Sequence, residues 1–269
     1  MRQYKFLFLL LTLVSCEKSV FDDIDVLLKQ NFQNNFIIEE AHLCSLPPLI
    51  QSYMEASGVI GTPYANTVKI VYAGDFKTNE DAGWDPMDAI TYTTYDPVSR
   101  NWIGEIHSTL GKMTVLDYYY NGVGKMDIRL FPSVPFQWAQ GPELDKGELL
   151  TILAELPFSP SAFLHENIVL EQISASAVRA TIFDAGLSAS GTFYFDKNHQ
   201  IQRFESNERF LVSGSRAENH PWTAYLWDYQ NFNGVAIPSK FKLRWHLPEG
   251  SFDYIKATLK DVHFNINKR

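Results

Sequence analysis

The clearest chemical signal in this sequence is a cysteine that follows a short apolar segment near the N-terminus. Cys16 closes the string LVSC, which matches the bacterial lipobox, where the cysteine is lipidated and becomes the first mature residue. Residues 6–14 are almost entirely apolar, and Arg2 and Lys5 precede them. Such a run is too short to span a bilayer but suits the apolar region of a signal peptide. The sequence predicts a lipoprotein signal peptide at 1–15 and lipidation of Cys16; an ordinary secretory signal is the alternative.

The other residues that could do chemistry form none of the familiar catalytic or ligand patterns. The histidines include no H-E-x-x-H pair, so neither a zinc site nor another cofactor is expected. Ser188 lies in GLSAS, which lacks the second glycine of a nucleophile elbow. Glu143 and Asp145 stand at a predicted helix start, where acids complement the helix dipole. The sequence favours a protein that is not an enzyme, but a hydrolase using dispersed carboxylates or a histidine stays open.

The composition excludes several classes of protein. The chain has 269 residues, 45% of them hydrophobic, and a formal net charge of −8. This balance is typical of a globular protein and not of a disordered chain or a membrane protein with many spans. The negative charge opposes binding to phosphate backbones, so no nucleic-acid partner is expected. We expect the chain to reach the membrane through its N-terminal lipid.

Two segments have the hydrophobic periodicity of helices. The first covers 46–58, with prolines near its start and Gly58 just past its end. The second covers 142–156, with Pro142 at the first helical position. Each segment carries an apolar stripe, so each must pack against another element.

The rest of the chain alternates between apolar and polar residues with the period of two that is typical of strands. Asn121-Gly122 and Asn233-Gly234 predict tight hairpin turns, and a phase slip near Lys260 predicts a β-bulge. About ten or eleven sequential strands predict a mainly β (α+β) fold. It is a curved antiparallel sheet or open β-barrel, with the helical insertion packed in its concavity. We expect one half-barrel domain over 41–269, joined to the lipidated cysteine by a tether over 16–40.

Several strings along the chain resemble those of an uncharacterised bacterial domain family. The resemblance covers about residues 45–266, and its main strings are LPPLIQ at 46–51, GPELDKGELL at 141–150, GTF at 191–193 and WHLPEG at 245–250. That family is similar in fold type to the lipoprotein-carrier half-barrels of the LolA and LolB type, in which a curved antiparallel sheet wraps helices over an apolar concavity. The resemblance implies this fold and a lipid- or acyl-binding role, and it implies no catalytic residues.

A binding cavity is expected beneath the insertion over 142–164, because the apolar residues of this segment should face the concave side of the sheet. The candidate lining residues are Trp138, Leu149, Leu153, Phe158 and Phe163. The main hypothesis is a non-catalytic lipoprotein of the bacterial cell envelope that holds an apolar or acyl-bearing ligand in this cavity, with an envelope protein as a further partner. Either the periplasmic or the surface side of a membrane is compatible with it. The alternatives are an envelope hydrolase and a structural or interaction lipoprotein with a filled core.

Overall fold

The computed structural model describes residues 24, 25, 28, 29, 35–109, 111–130, 134–213 and 216–267, without the side chains of 134–138, 213 and 216. The predicted signal peptide and Cys16 lie outside this part of the chain. The described helices are α1 (Glu40–Leu43), α2 (Pro48–Ser57) and α3 (Pro142–Ala154), and α3 is followed by two 3-10 turns at Leu156–Phe158 and Pro160–Leu164. No helix among the described residues is both long enough and apolar enough to cross a bilayer.

Thirteen strands make up most of the described chain. They are β1 (Thr67–Phe76), β2 (Asp85–Tyr95), β3 (Val98–Ser108), β4 (Gly111–Tyr120), β5 (Val123–Leu130), β6 (Val134–Gln140), β7 (Ile168–Ser174), β8 (Ala177–Asp184), β9 (Leu187–Phe195), β10 (Ile201–Ser213), β11 (Arg216–Phe232), β12 (Val235–Leu247) and β13 (Gly250–Phe264). All belong to one sheet, in the order β6-β5-β4-β3-β2-β1-β13-β12-β11-β10-β9-β8-β7. The number exceeds the ten or eleven strands that the sequence predicts.

The sheet is an antiparallel meander with one long-range pairing at its centre. Each strand pairs with its neighbours in the chain, except that β1 pairs with β13 and that β6 and β7 form the two edges. The α3 helix and the 3-10 turns connect β6 to β7 and so pass across the concave side from one edge to the other. This open half-barrel with a helical insertion confirms the predicted fold class.

Two predicted hairpin turns are confirmed by their backbone conformation. Asn121 and Gly122 have φ values of 50° and 78°, and Asn233 and Gly234 have values of 52° and 93°. Two consecutive residues with positive φ form the type I′ turn, whose twist matches that of the strands it connects. The first turn joins β4 to β5 and the second joins β11 to β12, and each connection consists of its two turn residues alone.

The predicted β-bulge in β13 is also confirmed. The pairing with β1 passes from Val71–Asp261 to Tyr72–Leu259, which leaves Lys260 without a partner residue in the ladder. One extra residue in a strand reverses the side-chain alternation beyond it. Apolar residues on both sides of the bulge are therefore buried.

A row of aromatic side chains, which we call the aromatic chain, runs through the core from α2 to β11. Tyr53 of α2 meets Phe163 edge-on at 5.8 Å between ring centroids, and Phe163 meets Phe193 at 5.4 Å. Phe193 is 4.7 Å from Phe204, which is 6.4 Å from Trp222. Edge-to-face contacts of this kind stabilise aromatic pairs beyond the area they bury. The aromatic chain fixes the 3-10 turns to both α2 and the sheet.

The described part of the predicted tether contacts the sheet. Ile24 and Leu28 are buried and form a small cluster with Tyr92 of β2, separate from the main core. Further along, Ile37 forms an isolated antiparallel bridge with Pro63. Ile24 and Leu28 therefore cover the side of β2 that bears Tyr92.

Candidate functional site

A cavity of about 840 Å3 lies between the concave face of the sheet and α3. Residues 77–81 of the β1–β2 connection, Val212 at the end of β10 and Leu247 at the end of β12 line one end of it. Because β1, β10 and β12 run in the same direction, these three strand ends lie at one edge of the sheet. The helical insertion therefore leaves part of the concavity open.

Most of the cavity wall is apolar. Strands on both sides of the β1–β13 pairing contribute aliphatic and aromatic side chains, among them Ile70, Met113, Val115, Leu226, Phe241 and Leu243. Ligand pockets in proteins usually measure about 300–1,000 Å3 and have this kind of lining, with a few polar groups that fix the orientation of the ligand. The polar groups of this cavity therefore bear on which ligand it can hold.

The α3 helix presents two different stripes to its surroundings. Leu144, Glu148, Thr151 and Glu155, which follow one another at helical spacing, line the cavity. The opposite stripe is fully buried in the main core and consists of Leu149, Leu150, Ile152 and Leu153. The helix is consequently enclosed on both sides, with its polar stripe toward the cavity.

The five residues predicted to line the cavity occupy different places. Phe158 lies in the cavity wall. Leu149, Leu153 and Phe163 are at most 1% exposed and belong to the core behind the helix. Trp138 is opposite Asp127 in the β5–β6 ladder, and its side chain is outside the described part of the structure.

A buried ion-pair cluster holds α3 against β3. The Arg100 Nη1 donates to Glu148 Oε2 at 3.0 Å, and Nη2 donates to Glu155 Oε1 at 2.8 Å. Arg100 Nε also donates to Glu155, at 3.0 Å from Oε2. Every nitrogen of this guanidinium therefore has a carboxylate partner, and two parallel bonds to one carboxylate are the strongest form of such a contact.

Arg209 of β10 has a different environment on the same wall. Its Nη1 donates to the Gly147 carbonyl oxygen at 3.0 Å and to the Thr151 hydroxyl. Its guanidinium carbon lies 4.8 Å from the ring centroid of Trp222 and 5.8 Å from that of Trp245, within cation–π range. Among the described residues no carboxylate lies within 4 Å of it, and its Nε is buried without a hydrogen-bond partner.

Asp117 of β4 is a buried carboxyl group next to these charges. Burial, and after it the nearby Glu148, raises the pKa of Asp117 to about 8, although Arg100 and Arg209 partly oppose the rise. Its Oδ1 is buried and has no hydrogen-bond partner among the described residues. Burial therefore favours the protonated form of the Asp117 side chain at neutral pH, because losing its charge removes the penalty of desolvation.

This pKa predicts that the contribution of Asp117 to stability falls as the pH rises. Between about pH 4 and pH 8 the folded state binds a proton at Asp117 that the unfolded state does not, so this contribution to the free energy of unfolding decreases across that window. We expect Asp117→Asn to melt at a higher temperature than the wild type at pH 9, and we expect this difference to be much smaller at pH 5. Asp75→Asn, at an exposed position on β1, is the control. Equal shifts of the melting temperature at both pH values would refute this assignment.

No pattern in the sequence indicates that the polar residues of the cavity form one group. Asp117 shares the inward face of β4 with Met113 and Val115, and Arg100 shares that of β3 with Trp102. An ionisable residue within an apolar alternation is a usable signal, because such a residue must be paired or neutral when buried. Among the described residues, no group of three or more His, Cys, Asp or Glu side chains is arranged to hold a metal ion.

Comparison with solved structures finds relatives of low sequence identity. A domain from Vibrio parahaemolyticus, provisionally named an outer membrane lipoprotein-sorting protein domain, has 9% identity and a TM-score of 0.43, covering 80% of this chain and 90% of that one. A DUF1329 family protein from Desulfovibrio piger ATCC 29098 has 9% identity and a TM-score of 0.44 over the same shares. A LolA superfamily protein from Nitrosomonas europaea has 15% identity and a TM-score of 0.42, covering 80% and 93%.

No curated protein sequence matches this chain significantly. A family model matches residues 36–257, which include every described strand up to the middle of β13, α2, α3 and the whole polar cluster of the cavity. The match covers well over half of the chain. The protein therefore belongs to DUF6544, a family of unknown function.

Proposed function

We propose that this protein is a non-catalytic binding protein of the bacterial cell envelope that holds an apolar or acyl-bearing ligand in the half-barrel cavity. The observation that carries the proposal is the open, mainly apolar cavity beneath α3. Water in such a space makes few favourable interactions with the apolar wall, so its displacement by an apolar chain is favoured. A structural protein with no ligand would be more stable with this volume filled.

The N-terminal sequence supports the cellular part of the proposal. A signal peptide over 1–15 and a lipidated Cys16 would fix the chain to a membrane and bring the cavity close to a source of acyl chains. The bound ligand and the anchor are then two separate acyl-bearing groups. An experiment on the full chain must therefore distinguish them by position.

A photoactivatable 16-carbon fatty acid, fed to cells that make the full chain, provides this distinction. After irradiation and denaturing purification, peptide mass spectrometry is expected to find light-dependent adducts on cavity peptides from α3, β11 and β12. Light-independent acylation is expected on the peptide that begins at Cys16. Light-dependent adducts that avoid the cavity, or their complete absence, would refute ligand binding in the half-barrel.

A pair of neighbouring tryptophan substitutions makes this test specific. Ala224 of β11 is 3% exposed and faces the cavity, so Ala224→Trp is expected to occupy ligand space and reduce the light-dependent adducts at least fivefold. Tyr225 lies on the opposite face, where its ring contacts Lys242 and Arg244. Tyr225→Trp is the matched control and should leave the adducts unchanged. Equal labelling of the two variants would contradict the proposal.

A hydrolase is the second candidate, because Asp117 is a carboxyl group with a raised pKa in a cavity that also holds Glu148 and Glu155. A protonated acid beside a carboxylate is the arrangement that hydrolytic enzymes use. Both glutamates, however, are bound to Arg100, so neither is free to act as base or nucleophile. Cells that make the wild type and cells that make Asp117→Asn should therefore both retain the labelled acyl ligand unprocessed. Processing by the wild type that is lost in Asp117→Asn would favour the enzyme.

A further inference from the structure

Three side-chain polar atoms of cavity-lining residues have no hydrogen-bond partner among the described residues: Thr91 Oγ1, Asp117 Oδ1 and Arg209 Nε. The last two belong to ionisable residues. Arg209 Nε and Asp117 Oδ1 are both buried, and both residues line the cavity. Buried polar atoms in proteins are nearly always hydrogen-bonded, and leaving one unpaired destabilises the structure by about 1–3 kcal/mol. A group that enters the cavity and bonds to both atoms would remove these two penalties.

The surroundings of Arg209 hold its guanidinium in place without neutralising it. Gly147 and Thr151 accept hydrogen bonds from Nη1, and the rings of Trp222 and Trp245 lie close to the guanidinium carbon. None of these contacts removes the positive charge. Arg100, by comparison, has all three nitrogens bound to two carboxylates, so its capacity for a further ligand is used up.

Asp117 adds a second donor to the same part of the wall. It lies near enough to Arg209 for the arginine charge to lower the aspartate pKa, and that pKa still remains about 8. Burial therefore favours the protonated carboxyl group at neutral pH, and in this form it donates a hydrogen bond through its hydroxyl. Arg209 Nε and Asp117 together present two donors, which requires an acceptor-rich group in the ligand.

Resting on the proposed function, we propose that Arg209 and Asp117 bind the anionic head group, a carboxylate or a phosphate, of an acyl-bearing ligand whose chain occupies the apolar part of the cavity. Carboxylates and phosphates match the geometry of a guanidinium and accept several hydrogen bonds at once. The aliphatic and aromatic side chains of β1, β4, β11 and β12 then surround the acyl chain. The ligand class is thus an anionic amphiphile.

Competition against the photoactivatable fatty acid, in isolated membranes that hold the full chain, tests this inference. The competitors are hexadecanoate, hexadecyl phosphate, the uncharged hexadecan-1-ol and inorganic phosphate alone. In the wild type, each of the two anionic amphiphiles is expected to displace the probe at concentrations at least tenfold lower than the alcohol. Inorganic phosphate should not displace it at these concentrations.

Substitution of Arg209 then identifies the residue responsible. Arg209→Gln should reduce the tenfold preference for the anions to within about twofold, because the alcohol never depended on the guanidinium. Arg209→Lys keeps the charge but loses Nε, and it should give an intermediate preference. Arg244→Gln is the control, since Arg244 lies outside the cavity lining and is paired with Asp253 at 2.7 Å; its preference should equal that of the wild type.

The possible results separate this inference from the proposed function. If the alcohol competes as well as the anions in the wild type, or if Arg209→Gln keeps the full preference, the head-group site is refuted while the acyl-binding cavity stands. Competition by inorganic phosphate as strong as that by hexadecyl phosphate would show a site for a free anion and would also refute it. If no amphiphile displaces the probe and no cavity peptide is labelled, the proposed function itself fails.

Discussion

Replacement of Arg100 by alanine is expected to lower the free energy of unfolding by about 3–5 kcal/mol. Arg100 is 5% exposed, and its guanidinium is shared by Glu148 of α3 and by Glu155, the residue that follows α3. Without it, two carboxylates remain in a buried site with no cation in contact, and the α3 helix loses its connection to β3. Chemical denaturation of the wild type and Arg100→Ala, each as the full chain, measures the difference.

Two comparisons show whether the loss comes from uncompensated charge. Lys240→Ala removes an exposed ion pair with Asp228 at 2.9 Å and should change the free energy of unfolding by less than about 1 kcal/mol. The triple variant Arg100→Met, Glu148→Gln, Glu155→Gln removes all three charges and should recover most of the stability lost in Arg100→Ala. A triple variant as unstable as the single one would mean that packing, and not charge, explains the effect.

Truncation of Phe163 to alanine is the second change with a large expected effect, again about 3–5 kcal/mol of unfolding free energy. Its ring is 1% exposed and lies in the aromatic chain between Tyr53 and Phe193. The cavity that alanine would leave is enclosed by side chains that cannot move into it without breaking their own contacts. Thermal or chemical unfolding of the full chain measures the loss.

Phe158→Ala provides the matched comparison for this prediction. Phe158 packs on Phe241 at 5.6 Å between centroids, but it also borders the cavity and therefore has fewer side chains around it. We expect a smaller loss of stability for Phe158→Ala than for Phe163→Ala. We also expect Phe163→Ala to keep light-dependent acyl labelling of the cavity. A larger loss in Phe158→Ala would contradict the positions that the structure gives to the two rings.

The sequence predicts the architecture well wherever local signals determine it. The two asparagine–glycine turns, the bulge at Lys260 and the helix that begins at Pro142 all depend on neighbouring residues, and all are confirmed. Three strands lack a clear local signal. The residues near the end of β2 are buried on both faces, so they do not alternate. Pro135 of β6 is unusual in a strand but lies at a sheet edge, where proline is tolerated. Asp228 of β11 has a φ of 58°, which interrupts the alternation.

The candidate site is less accessible to sequence reasoning because it is assembled from distant segments. Arg100, Asp117, Glu148 and Arg209 come from three strands and a helix, and their proximity depends on how α3 crosses the sheet. The polar stripe of α3 is also difficult to recognise in the sequence, since its glutamates have apolar residues as neighbours along the chain. Only the position of an ionisable residue on an inward strand face, as at Asp117, gives a local indication.

The position of β13 at the centre of the sheet has a consequence for biosynthesis. This strand lies between β1 and β12, and it joins the meander β1–β6 to the meander β7–β12. Hairpins within each meander pair neighbouring segments and can form early during translation, whereas the pairing of β1 with β13 brings together residues almost two hundred positions apart. The two halves of the cavity therefore stay separate on the ribosome until residues 250–264 have emerged.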